Sequence, residues 1–164
     1  GTPCVIHQPS YSMLNRWVER DGLKDTLQEL GVGSIAFSPL AQGMLSTKYL
    51  SGVPENSRAA QDKSLSPNML SEQALSNIRQ LNEIAKARGQ TLAQMAIAWV
   101  LREGGITTAL IGASKPAQIT DCAGAINNLN FTPEDLVNID KYALEEGINL
   151  WALSSETPQG ATQR

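Results

Sequence analysis

Two short stretches of this 164-residue chain place phosphate-binding chemistry where a parallel α/β fold would present it. Gly112-Ala113-Ser114-Lys115 follows an apolar run and leads straight into a helix start at Pro116. A helix N-terminus offers unpaired backbone N–H groups and the positive end of the helix dipole, which suits an anion. Gly112 permits close backbone approach, while Ser114 and Lys115 add a hydroxyl and a point charge. The plainer alternative is an ordinary serine cap followed by a solvated lysine. The second stretch, Ser38-Pro39-Leu40-Ala41-Gln42-Gly43, also follows an apolar run and leads on to Lys48 and Arg58. Both of those side chains are by default solvated loop charges.

Other patterns carry less. Gly31-Val32-Gly33-Ser34-Ile35-Ala36 fits the dinucleotide fingerprint G-x-G-x-x-A letter for letter. That fingerprint must follow a strand and open a helix, whereas this one follows a helix and opens a strand, so it reads as a helix cap. His7 is the only histidine and adjoins an apolar run, which suggests a packed or hydrogen-bonded imidazole. Cys4 and Cys122 share no metal-like spacing with it and cannot form a disulfide framework, which fits a reducing, cytoplasmic setting. With a formal charge of -3 the chain has no electrostatic case for nucleic acid or an anionic membrane. No apolar run is long enough to span a bilayer. The chain begins Gly1-Thr2-Pro3, almost directly in an apolar run, which reads as a section of something longer.

The elements that must position these residues follow from periodicity and punctuation. Val5 to His7 reads as the end of a buried strand. Trp17, Leu23, Leu27 and Leu30 recur at helical spacing, predicting one helix over 15–30 that Gly31 terminates. Residues 33–37 form a second strand, stopped by Ser38-Pro39. The polar stretch 40–68 is too long for a plain connector, and such loops are usually functional. Ser71 caps a helix carrying Leu75, Ile78, Leu81 and Ala85. Thr91 and Gln94 make a capping box for the next, through Met95, Ala98 and Trp99. Residues 106–111 form a third strand. Ser114 caps a helix with Pro116 in its first turn, and Thr132-Pro133-Glu134-Asp135 opens the last, through Leu144. Strands alternating with helices mean parallel pairing and right-handed crossovers.

Taken together, the strand-end motifs resemble the aldo-keto reductase family. Ile6-His7-Gln8-Pro9-Ser10-Tyr11-Ser12 is similar to the sixth barrel strand of that family. Ile35-Ala36-Phe37-Ser38-Pro39-Leu40-Ala41-Gln42-Gly43 through Lys48-Tyr49 resembles the seventh strand and its loop, and Ala109-Leu110-Ile111-Gly112-Ala113-Ser114 the eighth. The match runs in order from about Val5 to Trp151, and the branch it most resembles comprises bacterial glyceraldehyde 3-phosphate/methylglyoxal reductases, related to potassium-channel β-subunits. The resemblance implies an α/β fold that is part of a (β/α)8 TIM barrel, strands six to eight with their helices. Residues 1–164 would then be the C-terminal portion of one barrel domain, with 147–164 as its tail.

The resemblance also implies a site for NADP. Gln8 would hydrogen-bond the nicotinamide carboxamide and Phe37 would stack under its ring. Ser38, Leu40 and Gln42 would line the pyrophosphate, with Lys48 and Arg58 closing over it. Gly112, Ser114, Lys115 and Gln118 would hold the adenosine end and its 2′-phosphate. Where many relatives carry a Glu-Asn pair for adenine, this chain has Asp121-Cys122. The family's catalytic Asp, Tyr, Lys and His belong to the first four strands, so no catalytic residue is expected here and the chain alone should be inactive. The whole protein would reduce a small aldehyde or ketone with NADPH and could form a homo-oligomer. Two rivals are a cofactor-sensing subunit of the same fold without catalysis, and a self-contained small open α/β phosphate-binding domain.

Overall fold

The computed structural model describes residues 2–52, 70–102, 104 and 106–145. Arg58, Trp151 and the segment 147–164 lie outside the described residues. Three strands, β1 (Ile6–His7), β2 (Gly33–Phe37) and β3 (Thr108–Leu110), pair side by side in chain order, all parallel. Helices supply each crossover, as parallel pairing requires. α1 (Trp17–Arg20) and α2 (Leu23–Glu29) join β1 to β2, and α3 (Glu72–Ala87) and α4 (Leu92–Leu101) join β2 to β3. α5 (Pro116–Ala123) and α6 (Pro133–Tyr142) follow.

The helices show why the sequence pattern worked and where it did not. In α3, Leu75, Ile78, Leu81 and Ala85 are buried along one face, and the Ser71 hydroxyl accepts from the Ala74 N–H at 3.0 Å. The Thr91/Gln94 capping box is present in both directions, each bond 3.1 Å. α4 is buried almost all round, as a helix between a sheet and other helices must be. The single helix expected over 15–30 is two. Gly22 adopts φ 67, a left-handed conformation that ends the first helix and starts the second. α2 buries no residue and Leu30 is 71% exposed, so its apolar spacing continued across a break without making a packed face. The last helix stops at Tyr142, and Leu144 is exposed.

β3 is also shorter than 106–111. At its start, side chains replace the ladder: the Ser34 N–H donates to Thr107 Oγ1 at 3.0 Å and the Thr107 N–H to Ser34 Oγ at 3.2 Å. Among the described residues, one face of the sheet packs against the helices. Ala36 and Ala109 meet the helices, where Tyr11, Met44, Tyr49, Leu81, Met95, Trp99 and Ile139 form the main core. Side chains alternate across a strand, and paired residues share a face. Register therefore puts Ile6, Ile35, Phe37 and Leu110 together on the opposite face. There Ile6 is 49% and Leu110 52% exposed. Parallel sheets normally bury both faces. Here, among the described residues, one side keeps Ile6 and Leu110 exposed and Ile35 and Phe37 only half-buried.

Candidate functional site

The candidate residues gather where the strands end. Beyond β1 the chain stays beside β2: the Phe37 N–H donates to the Pro9 carbonyl at 3.0 Å, and the Tyr11 N–H donates to the Phe37 carbonyl at 3.3 Å. This clamp sets Gln8, which is exposed, next to the end of β2. Phe37 is half-buried on the bare face, opposite Leu110, and does not belong to the packed core.

After Phe37 the backbone turns left-handed repeatedly. Ser38 (φ 55), Ala41 (φ 49) and Gln42 (φ 59) all adopt a conformation that L side chains rarely occupy, and Gly43 follows at φ 92. Each such non-glycine residue costs on the order of 1–3 kcal/mol, and such residues cluster at functional sites. The loop is held by its own bonds: Ala41 N–H to the Ser38 carbonyl, Gly43 N–H to Leu40, Met44 N–H to Ala41, and Leu45 N–H to Leu40, all 2.9–3.1 Å. Met44 and Leu45 are fully buried beneath it. Ser46 then ends the loop, its hydroxyl donating to the Gly43 carbonyl at 2.7 Å and accepting from the Lys48 N–H at 3.3 Å. Lys48 is exposed, with its ammonium 5.4 Å from the centre of the Tyr49 ring.

At the end of β3 the residues are exposed from Gly112 to Gln118. A Cβ at Gly112 would meet nothing within 4 Å, so the glycine is not required by the packing of this chain. Ser114 is not the cap of α5; Lys115 occupies that position. The reason is Gln118, whose Oε1 accepts from the Ser114 N–H at 2.8 Å, the Lys115 N–H at 3.1 Å and the Ser114 hydroxyl at 3.2 Å. Three donors therefore converge on one oxygen at a helix N-terminus.

The departure at Asp121-Cys122 has a physical account. Asp121 accepts from the Thr91 hydroxyl at 3.1 and 3.3 Å and from Gln94 Nε2 at 3.0 Å. Its charge sits at the N-terminus of α4, where the helix dipole favours an anion. Cys122 is buried, and burial together with the Asp121 charge pushes its thiol above the usual range. Both residues face into the chain.

Sequence reasoning missed a buried group behind the clamp. Tyr11 is fully buried; its hydroxyl donates to Glu19 and accepts from Arg102 Nη1 at 3.0 Å. Arg102 also pairs with Glu19 at 2.6 Å and lies 3.7 Å over the Trp99 ring. Burial raises the Tyr11 pKa well above the ordinary tyrosine value, so its hydroxyl stays protonated between Glu19 and Arg102. Its partners lie 8 and 91 residues away, and no local pattern signals the more distant one.

Comparison with known proteins decides the family. The sequence signature of the aldo/keto reductase family matches residues 1–144. This chain belongs to the aldo/keto reductase family. It is 49% identical over 158 residues to L-glyceraldehyde 3-phosphate reductase of Escherichia coli O157:H7 and to that of Escherichia coli strain K12. In each case the match covers 94% of this chain and 46% of the relative, so the chain spans about half the length of these curated relatives. Among solved structures, a thermostable aldo-keto reductase in complex with the inhibitor epalrestat superposes with TM-score 0.57 at 26% identity, over 85% of this chain and 40% of that one. The helices and parallel strands here fit the α/β fold of that family.

Proposed function

We propose that this chain forms strands six to eight of a (β/α)8 barrel and supplies most of the NADPH site of a cytoplasmic aldehyde or ketone reductase. One observation carries the reading. Gln8, the strained loop from Ser38, and the Gly112–Gln118 turn sit at the same end of three adjacent parallel strands, in a chain of this family. Ligands of parallel α/β folds bind at the C-terminal ends of strands. The bare apolar face supports the same reading, since it is the face a closed barrel would fill.

The residues fit the cofactor. Phe37 brings a half-buried aromatic ring to the end of β2, and the donors collected by Gln118 are those a phosphate oxygen needs. In this reading Gln8 binds the carboxamide and Phe37 orients the nicotinamide. Ser38, Leu40, Gln42, Lys48 and Arg58 hold the pyrophosphate. Gly112, Ser114, Lys115 and Gln118 hold the adenosine phosphate. When bound, NADPH supplies hydride, and the protein supplies orientation and electrostatics. In this reading the proton donor comes from outside this chain; the Tyr11 hydroxyl is buried and hydrogen-bonded to Glu19 and Arg102. The names of the Escherichia coli relatives point to a small phosphorylated hydroxyaldehyde as substrate.

The test is titration of the complete protein with NADPH, followed by fluorescence, and then turnover of glyceraldehyde 3-phosphate. Saturable binding and NADPH oxidation are expected. A protein that binds no NADPH at any concentration up to the millimolar range would refute the proposal.

A further inference from the structure

The left-handed loop at the end of β2 needs something rigid to hold it, because such conformations persist only where the surroundings over-determine them. Among the described residues, Tyr11 joins the end of β2, where this loop begins, to the helix layer by both its backbone and its side chain. Its N–H donates to the Phe37 carbonyl at 3.3 Å, one residue before left-handed Ser38. Its hydroxyl lies between Glu19, on α1, and Arg102, at the end of α4. Arg102 is itself fixed: it pairs with Glu19 at 2.6 Å, donates to the Trp99 carbonyl at 2.6 Å and stacks on the Trp99 ring. Lys24 Nζ adds a second cation 3.7 Å from Glu19. A phenylalanine would fill the same buried volume, so packing alone does not call for the hydroxyl. Its charge-assisted bonds fix the ring's direction and, through it, the backbone clamp.

We propose that Tyr11 is a positioning residue for the candidate cofactor site, transmitting the rigidity of the α1–α4 junction to the strained loop of Ser38 to Gly43. The idea rests on the reading of that loop as part of the NADPH site.

The experiment uses Tyr11→Phe in the complete protein, with amide hydrogen exchange and NADPH titration run on the same samples. The Ala41, Gly43 and Met44 amides, which bond within the loop, should exchange roughly tenfold faster, while those of α3 keep their rates. NADPH should bind roughly fivefold more weakly. Exchange unchanged in the loop, or accelerated equally in α3, would overturn the proposal and leave Tyr11 as packing only. Should Tyr11→Phe fail to fold, Glu19→Gln keeps an acceptor while removing the charge, and the same comparison of loop with α3 decides. If the wild type binds no NADPH, the function proposed above fails, whereas the exchange comparison still decides the role of Tyr11.

Discussion

Single side chains at the strand ends divide by what they touch. Lys115 is exposed at the N-terminus of α5, with its N–H already given to Gln118. Under the proposed reading its ammonium would meet a ligand phosphate, where a charge-assisted contact is worth roughly 1.5–3 kcal/mol. Lys115→Ala in the complete protein should weaken NADPH and leave NADH almost unchanged. Equal losses for the two cofactors, measured by titration, would remove Lys115 from the 2′-phosphate. Phe37 separates stacking from packing. A core phenylalanine cut to alanine costs about 3–5 kcal/mol, whereas ring stacking adds only about 0.5–1.5 kcal/mol beyond area. Since Phe37 lies half-buried on the bare face, Phe37→Ala should weaken NADPH several-fold with little change in the apo melting temperature. Phe37→Tyr should be nearly silent in both. A large apo melting drop with affinity intact would make Phe37 a core residue. Their place at the strand ends was legible because the punctuation that ends a strand is local in sequence. Gln118's grip on Ser114 and Lys115 was not, because a glutamine at the third helix position reads equally as solvent-facing.

At the level of elements, capping was the most legible feature and long-range pairing the least. Ser71, Thr91 with Gln94, and Thr132 with Asp135 all cap as their spacing implies, since each bond spans only three residues. The break at Gly22 was hidden because apolar spacing alone does not record a left-handed residue. The Glu19–Arg102 pair, 83 residues apart, was invisible to any window. Glu19 gives this level its own test. Burial opposes its charge, but the Tyr11 hydroxyl and the Arg102 guanidinium outweigh burial and hold its carboxyl below the usual range. A depressed carboxylate contributes stability above its unfolded pKa of about 4.3 and loses it as pH falls through the lower folded value. Glu19→Gln should therefore unfold at lower denaturant than wild type at pH 7, and the gap should close below about pH 4. A gap independent of pH would mean the pair contributes shape only. Asp121→Ala is expected to cost about 0.5–2 kcal/mol by exposing the start of α4, which a shift in the urea midpoint would register.

For the molecule as a whole, the governing fact is a parallel sheet with one face packed and the other, among the described residues, left partly exposed. Ile6, Ile35, Phe37 and Leu110 share that face, and among the described residues β1 and β3 are each paired on one side only. Unpaired parallel edges and exposed apolar surface favour association with another chain. The packed side, by contrast, holds Tyr11, Trp99, Leu81 and Ile139 with almost no exposure, so a structured core should survive. The 164-residue chain by itself is therefore expected to be helical by circular dichroism yet to self-associate and bind a hydrophobic dye. It should also show no NADPH-dependent reduction of methylglyoxal, because Tyr11 and Tyr49 are both buried and the Tyr11 hydroxyl is held by Glu19 and Arg102. Sedimentation, dye binding and turnover can be read from one preparation. A sharp monomer with no dye binding would show that the face is covered from within this chain, favouring a self-contained domain over a barrel section. Turnover above that of a Phe37→Ala control would show that a proton donor lies within these 164 residues after all.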